Sequence, residues 1–173
     1  MENKEIIINR LPSITWHRLK INEGRVNCPD EVESTKVDIV CPEEFSYNHS
    51  SSLSDIATGA GAEFKDWMES RNITTHAFVL SKETKANDPL RLSFVAEPTQ
   101  SAVAIELLAE ENTQATLIMD YTATENAQFL AVQTKIRAKK GAKIKLVQMQ
   151  RIDQKITFIN DFGADLSEHA DLH

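Results

Sequence analysis

The chain has 173 residues with 26 acidic and 19 basic side chains, for a formal net charge of −7. That length suits one domain, or one domain with a small appendage. The acidic balance argues against non-specific nucleic-acid binding and against an anionic membrane surface as partner. No apolar run approaches the roughly 20 residues needed to span a bilayer, and Met1 to Glu5 does not open a signal peptide. The expectation is a cytoplasmic protein. The two cysteines, Cys28 and Cys41, are too few for a disulfide scaffold. Without a secretory signal, the sequons at Asn48 and Asn72 carry no weight.

In chain order, Ile6 to Ile8 reads as a short strand, and Leu11-Pro12 prevents a helix there. Val37 to Val40 reads as a second strand closed by Pro42. Ser46 to Ser54 holds five serines and reads as a mobile loop. Phe64, Trp67 and Met68 share one helix face, which predicts a short amphipathic helix over 62–71, with Glu63 near its positive end. From residue 73 the texture turns to β. Thr74 to Leu80 is rich in strand formers, and Leu90, Leu92 and Phe94 alternate with Arg91 and Ser93. The boundaries expected are an N-terminal segment over 1–72 and β-coils over 73–173.

The region 103–173 repeats. Segments beginning at Leu108, Lys135 and Gly163 each end in alanine, a polar residue and an apolar residue. Ala115, Ala142 and Ala170 would occupy equivalent corners, followed by Leu117, Ile144 and Leu172. A nearly fixed period of this size marks a solenoid, in which coils stack because none buries its inner face alone. An antiparallel meander stays open on pattern alone.

Several segments, in order, resemble one family. Leu11-Pro12-Ser13-Ile14-Thr15-Trp16-His17-Arg18-Leu19-Lys20-Ile21-Asn22 is similar to an N-terminal segment of SufB/SufD-type iron–sulfur cluster assembly scaffolds. Thr58 to Phe64 resembles a segment that follows in them, and the alanine-turn repeats resemble their core. The resemblance is to the N-terminal portion, SufD-like. It implies a mainly β fold, a right-handed parallel β-helix with a small N-terminal α/β segment. It also implies a non-catalytic scaffold in the SUF system, with a SufB/SufD-type partner and the SufC ATPase. The family's SufC-binding region and its C-terminal cysteine and histidine positions have no counterpart before His173, which stands in mid-repeat. No catalytic, metal or cofactor residue is carried over. A coil open at that end predicts self-association, with Ile159, Phe162, Leu172 and His173 near the contact.

Read on their own chemistry, Cys28 and Cys41 lack the spacing of cluster ligands, and no cofactor is expected. His17, His49, His76, His169 and His173 form no complete zinc pattern. Thr58-Gly59-Ala60-Gly61 lacks the remainder of a phosphate-binding motif and reads as a turn before a helix. Trp16 and Trp67 read as core anchors. An alternative function is a carbohydrate-active β-helix enzyme using Asp161 and Asp165 as paired carboxylates. A purely structural solenoid is a further alternative.

Overall fold

The computed structural model describes residues 3–9, 23–50, 52–97, 99–152 and 155–173. The resemblance segment from Leu11 to Asn22, with Trp16 and His17, lies outside the described residues.

The expectation of a mainly β solenoid is met, with about three turns and one short helix. Each coil contributes one strand to each of two sheets. The first sheet stacks β6 (Thr75–Leu80), β8 (Gln100–Ala109), β10 (Phe129–Ala138) and β12 (Thr157–Leu166) in parallel. The second stacks β7 (Leu90–Ala96), β9 (Gln114–Ala123), β11 (Lys143–Arg151) and β13 (Asp171–Leu172), again in parallel. The parallel pairing removes the meander alternative.

The two sheets face each other across one apolar interior. Val103, Ile105 and Leu107 of β8 meet Leu117, Met119 and Tyr121 of β9, all buried. Leu130, Val132 and Ile136 of β10 continue the same layer. An aromatic ladder runs through this interior. Phe94 stacks on Tyr121 at 4.9 Å, and Tyr121 meets Phe158 at 5.1 Å. Offset rings at such spacings add to plain burial. Burial of the Tyr121 phenol pushes its pKa upward.

At the other end of the stack the chain closes the sheets with antiparallel strands. β4 (Lys36–Val40) pairs with β7, and β5 (Phe45–Asn48) pairs with β6. Their opposite direction stops the parallel series, so the first coil does not present a bare edge. The two-residue strand β3 (Glu33–Ser34) adds to β8 in parallel. A separate ribbon pairs β1 (Asn3–Ile8) with β2 (Gly24–Pro29).

The helix α1 (Ala62–Glu69) lies on the outer face of the first sheet. Phe64, Trp67 and Met68 are buried as the spacing predicted. They form a second core with Ile6, Cys28, Ala102, Phe129, Ala131 and Ile159. Small residues at 102 and 131 let the helix approach the sheet. Ile7 N–H donates to Glu63 Oε2 at 3.1 Å, tying the ribbon to the helix. Arg71 closes the other end, donating to the Trp67 carbonyl at 2.9 Å and lying 4.6 Å from the Trp67 ring. A cation at a helix C-terminus is favourable for both reasons.

Three points differ from the sequence reading. The expected alignment of the first repeat is two residues out of register. Ala115 pairs with Ile144, and Ile144 pairs with Leu172. Ala142 and Ala170 are equivalent, each just before the paired Lys143 and Asp171, but the residue at that place in the preceding coil is Thr113. A shift of two keeps every side chain on its own face, so alternation cannot detect it. Thr113 fits the corner because its hydroxyl donates to the Glu110 carbonyl at 2.7 Å.

The second correction concerns the serine-rich stretch. Ser46, Tyr47 and Asn48 belong to β5 rather than to a loop. Beyond it, the described residues 52–60 are a strap fixed against the first sheet, with Leu53 and Ile56 buried. Third, residues 24–29 form a strand that the pattern did not signal.

The coils share a backbone device at one corner. Glu83, Asn112, Gly141 and His169 all have positive φ, at 63°, 56°, 71° and 58°. The amide of each of the first three donates to the carbonyl one coil on: Glu83 to Glu111, Asn112 to Lys140, Gly141 to Glu168. The left-handed turn therefore stacks along the solenoid. Only one of the four positions carries the glycine that such a φ favours.

Candidate functional site

Among the described residues, the carboxylates most withdrawn from solvent lie under the strap. Glu106 is 3% exposed and Asp161 is 2% exposed, on the outer face of the first sheet. Burying a carboxylate is costly unless it is hydrogen-bonded. Glu106 Oε2 accepts from the amides of Ser52 and Leu53 at 2.7 and 3.1 Å. Asp161 Oδ1 accepts from the Ala60 amide at 2.8 Å, and its Oδ2 accepts from Gln133 Nε2 at 2.9 Å. The Gly59 amide donates to the Phe162 carbonyl at 3.0 Å. Two buried carboxylates and one strand carbonyl thus hold both ends of the strap.

Gly163 explains how close the strap comes. A Cβ built there would stand 2.3 Å from the Ala57 carbonyl oxygen. Arg137 clamps the outside, ion-paired to Asp55 at 2.6 Å and to Asp165 at 2.9 Å. The Arg137 guanidinium holds the Asp55 carboxyl below the ordinary carboxylate range. Beside the strap, a cleft of about 370 Å³ is lined by Arg71, Thr75, Glu106, Gln133 and Lys135 among others. Lys135 is only 5% exposed and sits directly across the strand pair from Glu106.

The sequence candidates are scattered by the fold. Cys28 is buried in the second core, and burial pushes its thiol up to about 11. Cys41 packs against the solenoid interior, and its thiol is also raised by burial. Both are free thiols. Raised pKa values disfavour the thiolate that acts as nucleophile or metal ligand. Among the described residues, no three His, Cys, Asp or Glu side chains are grouped to hold a metal.

Thr58 to Gly61 does precede α1, but the amides of Gly59, Ala60 and Gly61 are occupied. Those of Gly59 and Ala60 bind the first sheet, and that of Gly61 donates to the Thr58 carbonyl at 3.3 Å. Trp67 is a core anchor whose Nε1 donates to the Pro29 carbonyl at 3.0 Å. Asp161 and Asp165 share a sheet face, yet both oxygens of Asp161 are engaged and Asp165 is paired with Arg137. Asp161 and Asp165 are therefore not a free carboxylate pair. His169 is exposed on the stacked turn beside Glu168 at 3.1 Å. His173 exchanges backbone hydrogen bonds with Ile144 and Leu146. His49 and His76 are brought together at the β5 end by Tyr47, a partner that sequence reasoning missed because 29 residues separate it from His76.

What fold and site define together is a solenoid whose buried carboxylates brace its own outer layer. Residues 94–173, just under half of the chain, match the family model described as "SUF system FeS cluster assembly, SufBD core domain". The match covers the coils from the end of β7 onward and does not separate SufB from SufD. No curated protein and no solved structure gave a significant match.

Proposed function

We propose that this chain is a non-catalytic scaffold component of the SUF iron–sulfur cluster assembly system, with a SufD-like role in the cytoplasm. The observation that carries this reading is the coincidence of the SufBD core match at 94–173 with the stacked coils. The engagement of Glu106 and Asp161 in bracing the strap supports a structural rather than a catalytic use of the buried carboxylates. Its partners on this reading are a SufB/SufD-type subunit and the SufC ATPase. Pairing with that subunit, or with a second copy, through the β-helix coils belongs to this reading. The chain holds no iron–sulfur cluster of its own.

Co-expression with a SufB-type subunit and SufC tests the reading. A complex that survives size-exclusion chromatography supports it, and failure to co-elute with either subunit overturns it. Anaerobic reconstitution tests the absence of a cluster. Stoichiometric iron and sulfide lost on replacing Cys28 or Cys41 would contradict that part.

A further inference from the structure

Three side chains converge at the end of β5, away from the strap. The Tyr47 phenol oxygen lies 2.6 Å from His76 Nδ1 and 3.3 Å from His49 Nε2. The two imidazole centroids are 5.5 Å apart. Tyr47 stacks on Phe78 at 5.0 Å, which fixes the ring from behind. His76 is only 9% exposed, whereas Tyr47 is 40% exposed and His49 is exposed one residue beyond the strand. The trio is thus anchored on one side and open to solvent on the other.

The phenol oxygen is within hydrogen-bonding reach of a nitrogen on each imidazole. Two donor separations and the ring spacing can be set against those of a coordination shell. Two imidazoles bound to one ion at ~2.0–2.1 Å with tetrahedral angles place their ring centroids ~5 Å apart. The observed spacing is close to that. A shell of this kind separates neighbouring donor atoms by ~3.3 Å, the distance found from Tyr47 to His49. The shorter Tyr47–His76 contact has to open by less than ~1 Å to reach that spacing.

We propose that Tyr47, His49 and His76 form a binding site for a divalent first-row transition ion. Two nitrogens and one phenol oxygen would hold it, with a solvent-facing position left for water or a partner's side chain. Imidazole donors suit zinc, copper, iron and nickel rather than magnesium or calcium. To act as ligands both imidazoles must be neutral and the phenol must give up its proton, so ion binding should weaken as pH falls. The site does not depend on the SUF reading.

Zinc alone is the probe. Calorimetry on the tag-free chain at pH 7.5 should give one zinc per chain with a Kd of about 1 μM or below. His49→Ala and Tyr47→Phe should each weaken binding by about tenfold or more. His49→Ala removes an exposed side chain, so its melting temperature without zinc should match the parent. Cobalt(II) loaded in place of zinc should give a visible ligand-field spectrum that both variants lose. Absence of stoichiometric binding, or either variant binding zinc as tightly as the parent, overturns the proposal.

Discussion

The two sheets of the solenoid share an interior, yet their outer faces live in different surroundings. In the first sheet, β10 is buried on both faces along nearly its whole length. Ala131 lies under α1, and Gln133 and Lys135 lie beside the strap. In the second sheet, β11 turns Lys143 and Lys145 to water while Ile144 points inward. A strand covered on one face must alternate; a strand covered on both need not. One coil therefore carries two sequence codes, an alternation in its second strand that is clearest in β7 and β9 and a blurred one in its first. The difference shows that the outer layer is a second core, fixed by buried carboxylates as much as by apolar contact.

The largest effect should come from breaking that fixation. Asp161→Ala removes the acceptor for the Ala60 amide and for Gln133. Leaving buried donors unsatisfied should destabilise by about 2–4 kcal/mol. The counterpart on the open face, Lys145→Ala, should stay within about 0.5 kcal/mol. Urea unfolding of both variants checks the contrast, and equal effects would erase it.

Next in size is Ala142→Leu, in the fully buried corner between the two sheets. Overpacking there should cost about 1–3 kcal/mol. Because Thr113 rather than Ala115 is its counterpart one coil earlier, Thr113→Leu should behave like Ala142→Leu in the same measurement.

Gly141→Ala is smaller. The glycine has φ of 71°, and a Cβ would meet Asn112 Oδ1 at 2.5 Å. The expected loss is about 1 kcal/mol, because that atom is the tip of a side chain that can move. His169→Gly, at the matching position, should gain no more than about 0.5 kcal/mol. Thermal melts distinguish the two signs.

The smallest effect concerns pH. Burial and His49 lower the folded-state pKa of His76 below 6.5. The unfolded chain then binds more protons in the window just below 6.5, so stability is full above it and falls as pH drops through it. Tyr47 and His49 are the polar groups facing His76 there. In chelated, metal-free protein, His76→Gln should flatten the difference in melting temperature between pH 7.5 and 5.5 relative to the parent.

These outcomes bear on what the sequence could say. The coils were legible because their inner faces alternate and recur at a nearly constant period. The register of the first repeat was not, since Thr113 and Ala142 fill the same corner by different means. The stacked turn escaped notice because Glu83, Asn112, Gly141 and His169 share a backbone conformation and no side-chain chemistry. The strap was misread because serines advertise solvent, while its anchors sit 54 and 101 residues away at Glu106 and Asp161. Nothing local marks a carboxylate as buried. The cluster at Tyr47 was hidden for the same reason, its members being ordinary surface residue types until the sheet aligns them.

The antiparallel strands β4 and β5 precede in the chain every coil that stacks upon them. A ribosome therefore releases the end plate before the first layer, and each layer before the one that covers it. Successive strands in each sheet are separated by 27–29 residues, Leu90 to Leu117 and Thr75 to Ala104 for example. The loop to be closed does not lengthen as the stack grows, so the entropic cost of docking each new layer stays constant. Such a molecule can be assembled in the order in which it is translated, every finished layer serving as the template for its successor.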